Sequence, residues 1–176
     1  MNRVVIIGCG NVGMAYAYAL VNQNIRVDEL VLIDINREKV LGEVMDLNHA
    51  SIFSSHKINV RAGEYSDCKN ANIVVITAGV NQEKNETRMD LINKNDKVIK
   101  NITLNVVDSG FKGIFLVATN PVDVMAYLVR KYSNFTSNKI IGSGTIIDTT
   151  RLKYILSNKL QINPSNIHAS VIGEHG

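Results

Sequence analysis

The sequence predicts an α/β fold in which helices cover both faces of a doubly wound, mostly parallel β-sheet. Short apolar runs rich in Val and Ile alternate along the chain with longer segments of helical periodicity. The first run leads directly into a glycine-rich turn at residues 8–13, and the second run ends in Asp34. Strands that alternate with helices imply right-handed crossovers, for which we expect the strand order 3-2-1-4-5-6.

The first half of the sheet is predicted from residues 4–61. Residues 4–7 are four β-branched residues typical of a buried strand, and the Ala-rich residues 11–22 form a helix packed closely on it. A second strand covers residues 30–33. A helix over residues 36–52 and a strand over residues 57–61 complete this half.

The second half repeats the alternation. In chain order we predict a strand at 73–76, a polar loop at 80–86, a helix over 91–106, a strand at 113–117, a helix through 124–132, a strand at 139–142, a helix over 148–158 and an extended segment at 168–172. Ligands of such sheets bind at the carboxyl ends of the strands, so we expect a crevice there.

The glycines of the turn each have a physical reason. Gly8 allows the tight turn, Gly10 lets the backbone approach a pyrophosphate, and Gly13 lets the helix lie close to the strand. Unpaired backbone N–H groups at the helix N-terminus, around Asn11 and Val12, favour an anion without a lysine. The pattern predicts a dinucleotide site, and the alternative is a merely structural glycine turn.

Asp34 identifies the preferred dinucleotide. It lies about twenty residues beyond the glycines, at the carboxyl end of the second strand, where a carboxylate accepts hydrogen bonds from ribose hydroxyls. The same carboxylate would repel a 2′-phosphate. We therefore expect NAD as the cofactor rather than NADP.

Composition excludes several other classes of protein. The chain has 176 residues and a formal net charge of +3, too small an excess to indicate nucleic-acid or membrane binding. With no signal peptide or long apolar run in the sequence, we expect a cytoplasmic protein. Cys9 and Cys68 have no metal-ligand spacing, so we predict two reduced thiols and no metal site.

The length of the chain fits one large domain or one domain with part of another. Residues 1–143, which contain all six predicted strands, would form a Rossmann-type NAD-binding domain.

Seven short motifs follow one another along the chain: Gly8-Cys9-Gly10-Asn11-Val12-Gly13, Ala78-Gly79-Val80-Asn81-Gln82, Glu86-Thr87-Arg88, Thr119-Asn120-Pro121-Val122-Asp123, Gly142-Ser143-Gly144-Thr145, Asp148-Thr149-Thr150-Arg151 and Gly173-Glu174-His175-Gly176. Together they resemble the NAD-dependent L-lactate and malate dehydrogenases, and among them the bacterial L-lactate dehydrogenases. The resemblance covers the whole chain, and it implies that residues 144–176 begin a second α/β substrate domain. It also implies an oxidoreductase of glycolysis and pyruvate fermentation that transfers hydride from NADH to a short 2-keto acid, most simply pyruvate giving L-lactate.

The resemblance assigns the proton donor to His175, and histidine suits the role because it titrates near neutral pH. Asp148 would hold the imidazole in the productive tautomer. Without the resemblance, His175 would be interpreted as a terminal surface histidine and Asp148 as a helix N-cap.

The resemblance also assigns substrate and cofactor contacts. Arg151 would bind the substrate carboxylate through a bidentate fork, and Arg88 would polarise the substrate carbonyl; the alternative for each is a solvated surface arginine. Asn120 would bind near the carbonyl and the nicotinamide, with a cis peptide before Pro121; the alternative is a plain loop-to-helix junction. Thr77, Ala78 and Gly79 complete the expected cofactor site.

Gln82 carries the predicted substrate discrimination. Malate dehydrogenases place an arginine at this loop position to pair with the second carboxylate of oxaloacetate, whereas lactate dehydrogenases place a neutral glutamine. We therefore favour pyruvate over oxaloacetate. A hydroxyisocaproate-type dehydrogenase with a broader 2-keto acid range is the first alternative, and a malate dehydrogenase is another.

The resemblance further implies assembly and regulation. Family members form dimers or tetramers, with the helix at residues 36–52 at one interface, although its apolar stripe fits core packing equally well. In many bacterial members an arginine and a histidine bind fructose 1,6-bisphosphate as an allosteric effector. His168 matches that histidine, and the alternative for it is a half-buried strand histidine. Lys153 stands at the arginine position, where it can meet a phosphate as a point charge but lacks the bidentate fork. Because family chains are nearly twice as long, a catalytically incompetent NAD-binding fragment, or one part of a complex, is the second hypothesis.

Overall fold

The computed structural model describes residues 2–23, 25–54, 56–80 and 87–175, without the side chain of Arg88. These residues form six strands and five α-helices. In chain order they are β1 (Arg3–Ile7), α1 (Asn11–Asn22), β2 (Glu29–Ile33), α2 (Arg37–Ser51), β3 (Asn59–Ala62), β4 (Ile73–Ile76), α3 (Arg88–Asp108), β5 (Ile114–Val117), α4 (Val122–Ser133), β6 (Ile140–Gly142) and α5 (Ile146–Leu160). Short 3-10 helices cover Tyr65–Asn70, Ser137–Lys139 and Pro164–Asn166.

The strands form one sheet in the order β3-β2-β1-β4-β5-β6, which confirms the predicted Rossmann-type topology. Every neighbouring pair is parallel, with Val5 of β1 level with Val31 of β2 and Val74 of β4. A parallel strand covered on both faces reads as a continuous apolar run. This explains why β1, β2 and β4 are easily recognised in the sequence.

Two layers of helices enclose the sheet. On one face, α1 and α2 pack Ala17, Val21 and Leu47 against the sheet core. On the other, α3 and α4 contribute Ile99 and Met125 to a second core cluster. The carboxyl ends of the central strands therefore meet at one edge between the two layers, where the predicted crevice lies.

A charged cluster closes the opposite end of β2. Glu29 is only 4% exposed. Its carboxylate accepts hydrogen bonds from the guanidinium groups of Arg3 and Arg61, the latter at 2.7 Å. Arg61 also binds Asp67, with Nη2 2.6 Å from Oδ1. The buried carboxylate thus has two cationic partners, as a charge inside a protein requires.

The predicted start of one strand was inaccurate. β3 begins at Asn59 instead of residue 57, because it pairs alongside β2 and β2 itself begins at Glu29. Residues 168–172, predicted as an extended segment, lie outside the sheet. They lie beside α5 instead, where the Val171 N–H donates to Thr149 Oγ1 (3.0 Å) and the Val171 carbonyl accepts from Thr145 Oγ1 (2.5 Å).

The helices α2 and α5 both leave apolar side chains exposed. In α2 the buried residues are Val40 and Leu47, so its stripe does pack on the core, while Leu41 and Met45 remain exposed. The helix α5 has no buried residue. Even so, no helix among the described residues is both long and apolar enough to cross a membrane.

Candidate nucleotide and proton-transfer site

The glycine-rich turn leaves no room for side chains at two of its positions. Gly8 has a φ of +104°, and a Cβ there would lie 2.3 Å from the backbone nitrogen of Ala78. A Cβ on Gly13 would lie 2.0 Å from the carbonyl oxygen of Gly8. Gly10 differs, since a Cβ on it would meet nothing within 4 Å. Gly8 thus allows the turn to pack closely on the segment after β4, and Gly13 lets α1 lie close to the turn after β1, whereas Gly10 borders open space.

The N-terminus of α1 is suited to an anion. Its N-cap is Gly10, with no side-chain cap, and no acidic residue lies in its first turn. The N–H groups of such a turn have no helical partners of their own and favour negative charge. Val12 is 57% exposed beside Asn11 at this end. These features fit the diphosphate and the apolar parts of a dinucleotide.

Asp34 connects the glycine turn to the end of β2. Its Oδ2 accepts a hydrogen bond from the backbone N–H of Cys9 (2.7 Å), and its Oδ1 accepts one from the N–H of Asn36 (3.0 Å). A cleft of about 710 Å³ opens beside it at the carboxyl ends of β2 and β3, and its lining includes Arg37. The carboxylate is therefore held in place facing a cavity, as a ribose-binding acid requires.

The end of β4 lies against the same turn. Thr77 Oγ1 donates to the carbonyl oxygen of Gly8 (2.6 Å), and the Ala78 N–H donates to that of Ile7 (3.0 Å). Thr119, after β5, donates through Oγ1 to the Ala78 carbonyl (2.8 Å). Residues 77–79, predicted to contact the cofactor, therefore join the glycine turn to the next strand end.

The peptide bond between Asn120 and Pro121 is cis, as predicted. Pro121 is the N-cap of α4, so this bond also stands at the junction of loop and helix, one residue before the first helical turn. Asn120 is exposed at the crevice, and its carbonyl oxygen accepts a hydrogen bond from Asn95 Nδ2 (3.3 Å).

His175 and Asp148 form a hydrogen-bonded pair. The distance from His175 Nδ1 to Asp148 Oδ2 is 2.6 Å, and the His175 side chain is only 16% exposed. The interpretation of a free surface histidine was therefore wrong. The N-cap of α5 is Thr145 and Asp148 lies in the first turn of that helix, so the N-cap interpretation of Asp148 was also wrong. The backbone N–H of His175 additionally donates to Asp123 Oδ2 (2.9 Å).

Arg151 lies one turn along α5 from Asp148. Its Nη1 is 3.8 Å from Asp148 Oδ1, and its side chain is 69% exposed. A guanidinium so exposed retains most of its donors for another anion. Arg88 is the first residue of α3, after the N-cap Thr87. The Arg88 side chain and Gln82 lie outside the described residues.

The predicted effector residues are near the end of the chain. Lys153 is half-buried on α5 and His168 is exposed outside the sheet, so the half-buried strand interpretation of His168 was wrong.

The two cysteines are free, as predicted, and both are buried. Burial raises the pKa of the Cys9 thiol to about 12, and Asp34 and Glu43 add to the shift. Burial likewise raises the pKa of Cys68 to about 12. Both thiols are therefore protonated, and neither is a reactive nucleophile at neutral pH. The described residues include no group of three or more His, Cys, Asp or Glu side chains placed to hold a metal ion.

Sequence reasoning assigned no role to Asp123 or Asn95. Asp123 stands in a quoted motif, but its contact with His175 spans 52 residues of sequence and has no local signal. Asn95 did have a local signal in the sequence. It lies between Ile92 and Ile99 on the apolar stripe of α3, where an amide side chain needs partners.

Comparison with known proteins agrees with this geometry. Residues 2–142 match the family model described as lactate/malate dehydrogenase, NAD binding domain. L-lactate dehydrogenase of Geobacillus sp. (strain WCH70) is 54% identical over 176 residues, all of this chain and 55% of that protein. L-lactate dehydrogenase of Borrelia turicatae (strain 91E135) is 52% identical over 175 residues, 99% of this chain and 55% of that protein.

A solved structure gives the same result. The crystal structure of MGS-M5, a lactate dehydrogenase from a Medee basin deep-sea metagenome library, superposes with a TM-score of 0.95 at 52% identity. The superposition covers 99% of this chain and 55% of the solved chain. The chain thus spans about half the length of the relatives it matches. The family model, the sheet topology and the sequence identities together show that the chain belongs to the lactate/malate dehydrogenase family and carries its NAD-binding domain.

Proposed function

We propose that this chain supplies the NAD site and the proton-transfer pair of an enzyme that reduces pyruvate to L-lactate. The observation that carries the proposal is the 2.6 Å contact between His175 Nδ1 and Asp148 Oδ2. A carboxylate at this distance fixes the proton on Nδ1, so the other ring nitrogen, Nε2, is the one that exchanges a proton with substrate. The contact of the His175 N–H with Asp123 restrains the backbone of the same residue.

The proposed reaction uses the residues as follows. NADH, when bound, would supply the hydride that reduces the carbonyl carbon. His175 donates its Nε2 proton to the carbonyl oxygen, while Asp148 holds the imidazole through Nδ1 so that Nε2 faces the substrate. Arg151 binds the substrate carboxylate, for which its exposed guanidinium provides a bidentate fork. By resemblance, Arg88 polarises the carbonyl.

The cofactor would lie along the glycine turn. Gly10, Asn11 and Val12 are exposed at the N-terminus of α1, where the pyrophosphate would bind, and Asp34 faces the cleft in which a ribose would lie. Thr77–Gly79 and Asn120 would border the nicotinamide half. The open space at Gly10 supports this path, because an NAD pyrophosphate has to approach the backbone there.

Pyruvate is preferred as substrate because Gln82 is neutral and cannot pair with a second carboxylate. The printed names of the Geobacillus and Borrelia relatives, both L-lactate dehydrogenases, support this preference. A dehydrogenase of larger 2-keto acids is the main competing function, since a neutral residue also admits an apolar substrate side chain. A fragment that binds NAD without turnover is the other.

We further propose how the chain is organised. The NAD-binding domain would end near residue 143, just after β6, and residues 144–176 would begin the substrate domain. The exposed Leu41 and Met45 on α2 support a homo-oligomer, with a tetramer or a dimer as the candidates. Fructose 1,6-bisphosphate would act through Lys153 and His168, and the protein would work in the cytoplasm.

The test is NADH oxidation with pyruvate, oxaloacetate and 2-ketoisocaproate in parallel, with and without fructose 1,6-bisphosphate. We expect pyruvate to react fastest, and Asp148→Asn to lower kcat by about 10²-fold or more because the imidazole loses its orienting anion. Asp108→Asn, an exposed acid at the far end of α3, is the control and should leave the rate unchanged.

Each other outcome selects a competing function. If 2-ketoisocaproate or oxaloacetate is turned over faster than pyruvate, that acid is the preferred substrate instead. NADH binding without turnover of any acid would support the fragment hypothesis. Full activity in Asp148→Asn would reject the proton-transfer pair.

A further inference from the structure

Asn95 is a buried polar residue on a helix face that is otherwise apolar. Ile92, Ile99 and Ile102 share its face of α3, and both Ile99 and Ile102 belong to the core cluster beneath the helix. Asn95 itself is 1% exposed. An amide in such a place loses its hydration and remains only where its hydrogen bonds are satisfied.

Both ends of the Asn95 amide are in use, and they reach two different strand ends. Oδ1 accepts a hydrogen bond from the backbone N–H of Val80, after β4, at 2.8 Å. Nδ2 donates to the carbonyl oxygen of Asn120, after β5, at 3.3 Å. One side chain on α3 therefore fixes the spacing between the two segments that border the crevice.

The surrounding contacts leave little freedom. A Cβ on Gly79 would lie 2.6 Å from Thr119 Cγ2 and 3.4 Å from Asn95 Oδ1, so the two segments approach each other closely here. Thr119 adds its hydrogen bond to the Ala78 carbonyl at 2.8 Å. A shift of the Asn120 backbone must therefore move or break the Asn95 contact.

We propose that Asn95 is a positioning residue that sets where Asn120 meets the nicotinamide half of the cofactor. The inference rests on the proposed function, since it needs NADH bound along the glycine turn. It acts on one end of the cofactor only. Asn95 holds the segments that follow β4 and β5, whereas the glycine turn and Asp34 follow β1 and β2. The adenosine half should not sense its loss.

Two variants and one control separate positioning from stability. Asn95→Asp has the same size and keeps an acceptor for Val80 but cannot donate to Asn120 when ionised; Asn95→Leu removes both hydrogen bonds. The control is Thr103→Val. Thr103 is fully buried two turns further along the same helix, and its hydroxyl has no hydrogen-bond partner among the described residues. Removing that hydroxyl should cost nothing.

The experiment titrates the 176-residue chain with NADH and, separately, with ADP-ribose, which lacks the nicotinamide. We expect each Asn95 variant to weaken NADH binding by about fivefold or more, the effect of losing one hydrogen bond between Asn120 and the cofactor. The variants should leave ADP-ribose within about twofold of the parent, and Thr103→Val should change neither constant. Thermal unfolding, followed separately, shows which variants are folded; if Asn95→Leu is not, Asn95→Asp alone decides.

Unchanged NADH affinity in the Asn95 variants, or a parallel loss of NADH and ADP-ribose, would overturn the positioning role alone. Failure of the parent chain to bind NADH would overturn the proposed function and the positioning role with it.

Discussion

Replacing Gly10 and Gly13 separately by alanine should divide the glycine turn into a binding part and a packing part. The two residues lie three positions apart in one turn, yet a Cβ at Gly10 meets nothing within 4 Å while one at Gly13 lies 2.0 Å from the Gly8 carbonyl oxygen. The same chemical change therefore tests two different physical roles.

The expected magnitudes follow from these distances. At Gly13 the helix must move by more than about 1 Å to restore normal contact, which puts the overpacking cost at roughly 2–3 kcal/mol, and helix propensity returns about 1 kcal/mol of it. For a chain of this size, a net loss of about 1–2 kcal/mol lowers Tm by roughly 2–8 °C. At Gly10, the N-cap of α1, alanine costs at most about 1 kcal/mol.

The assay combines thermal unfolding with NADH titration of both variants. Gly10→Ala should stay close to the parent in Tm but bind NADH at least about tenfold more weakly, because its methyl group occupies the space that the pyrophosphate needs. Gly13→Ala should show the larger loss of Tm. Unchanged NADH affinity in Gly10→Ala would refute the assignment of that open space to the cofactor, and an unchanged Tm in Gly13→Ala would refute the close-packing argument.

Two further predictions concern titratable groups. Hydrogen bonds from Arg61 hold the pKa of Asp67 below its usual value, so the stability that this pair contributes is present above about pH 4 and is lost as the pH falls further. In urea unfolding, the free energy of unfolding of Asp67→Asn should therefore fall less steeply with acid than that of the parent. An equal slope in the two proteins would count against the pair. Because burial raises the pKa of Cys9 and Cys68 to about 12, a thiol reagent at pH 8 should label the folded chain slowly and the urea-unfolded chain at once, whereas fast labelling of the folded chain would contradict their burial.

Most of the fold could be predicted because its signals are local. The buried strand β1, the glycines after it and the Ala-rich α1 stand next to one another in sequence, and the observed bounds Asn11–Asn22 equal the predicted helix. The start of β3 was less predictable. Its first residue depends on where β2 begins, and that is a pairing between strands that sequence periodicity does not contain.

The site was predictable in its residues but not in its contacts. His175 and Asp148 came from a resemblance, and only the folded chain brings their side chains within 2.6 Å across 27 residues. Asp123, which binds the His175 N–H from a third element, was missed for the same reason. Asn95 was missed although a lone amide on an apolar helix stripe is visible in the sequence. Such a residue indicates that hydrogen-bond partners are needed, but the sequence does not identify them.

The most direct test of the account is calorimetric titration of the chain with NADH and with NADPH. The central claim is that the glycine turn and Asp34 form an NAD site, and Asp34 faces the cleft in which a 2′-phosphate would have to lie. The account predicts saturable NADH binding at one site and NADPH binding at least about tenfold weaker, because two negative charges would meet there. Equal or tighter binding of NADPH, helped by the neighbouring Arg37, would contradict the role given to Asp34, and no binding of NADH would contradict the site itself.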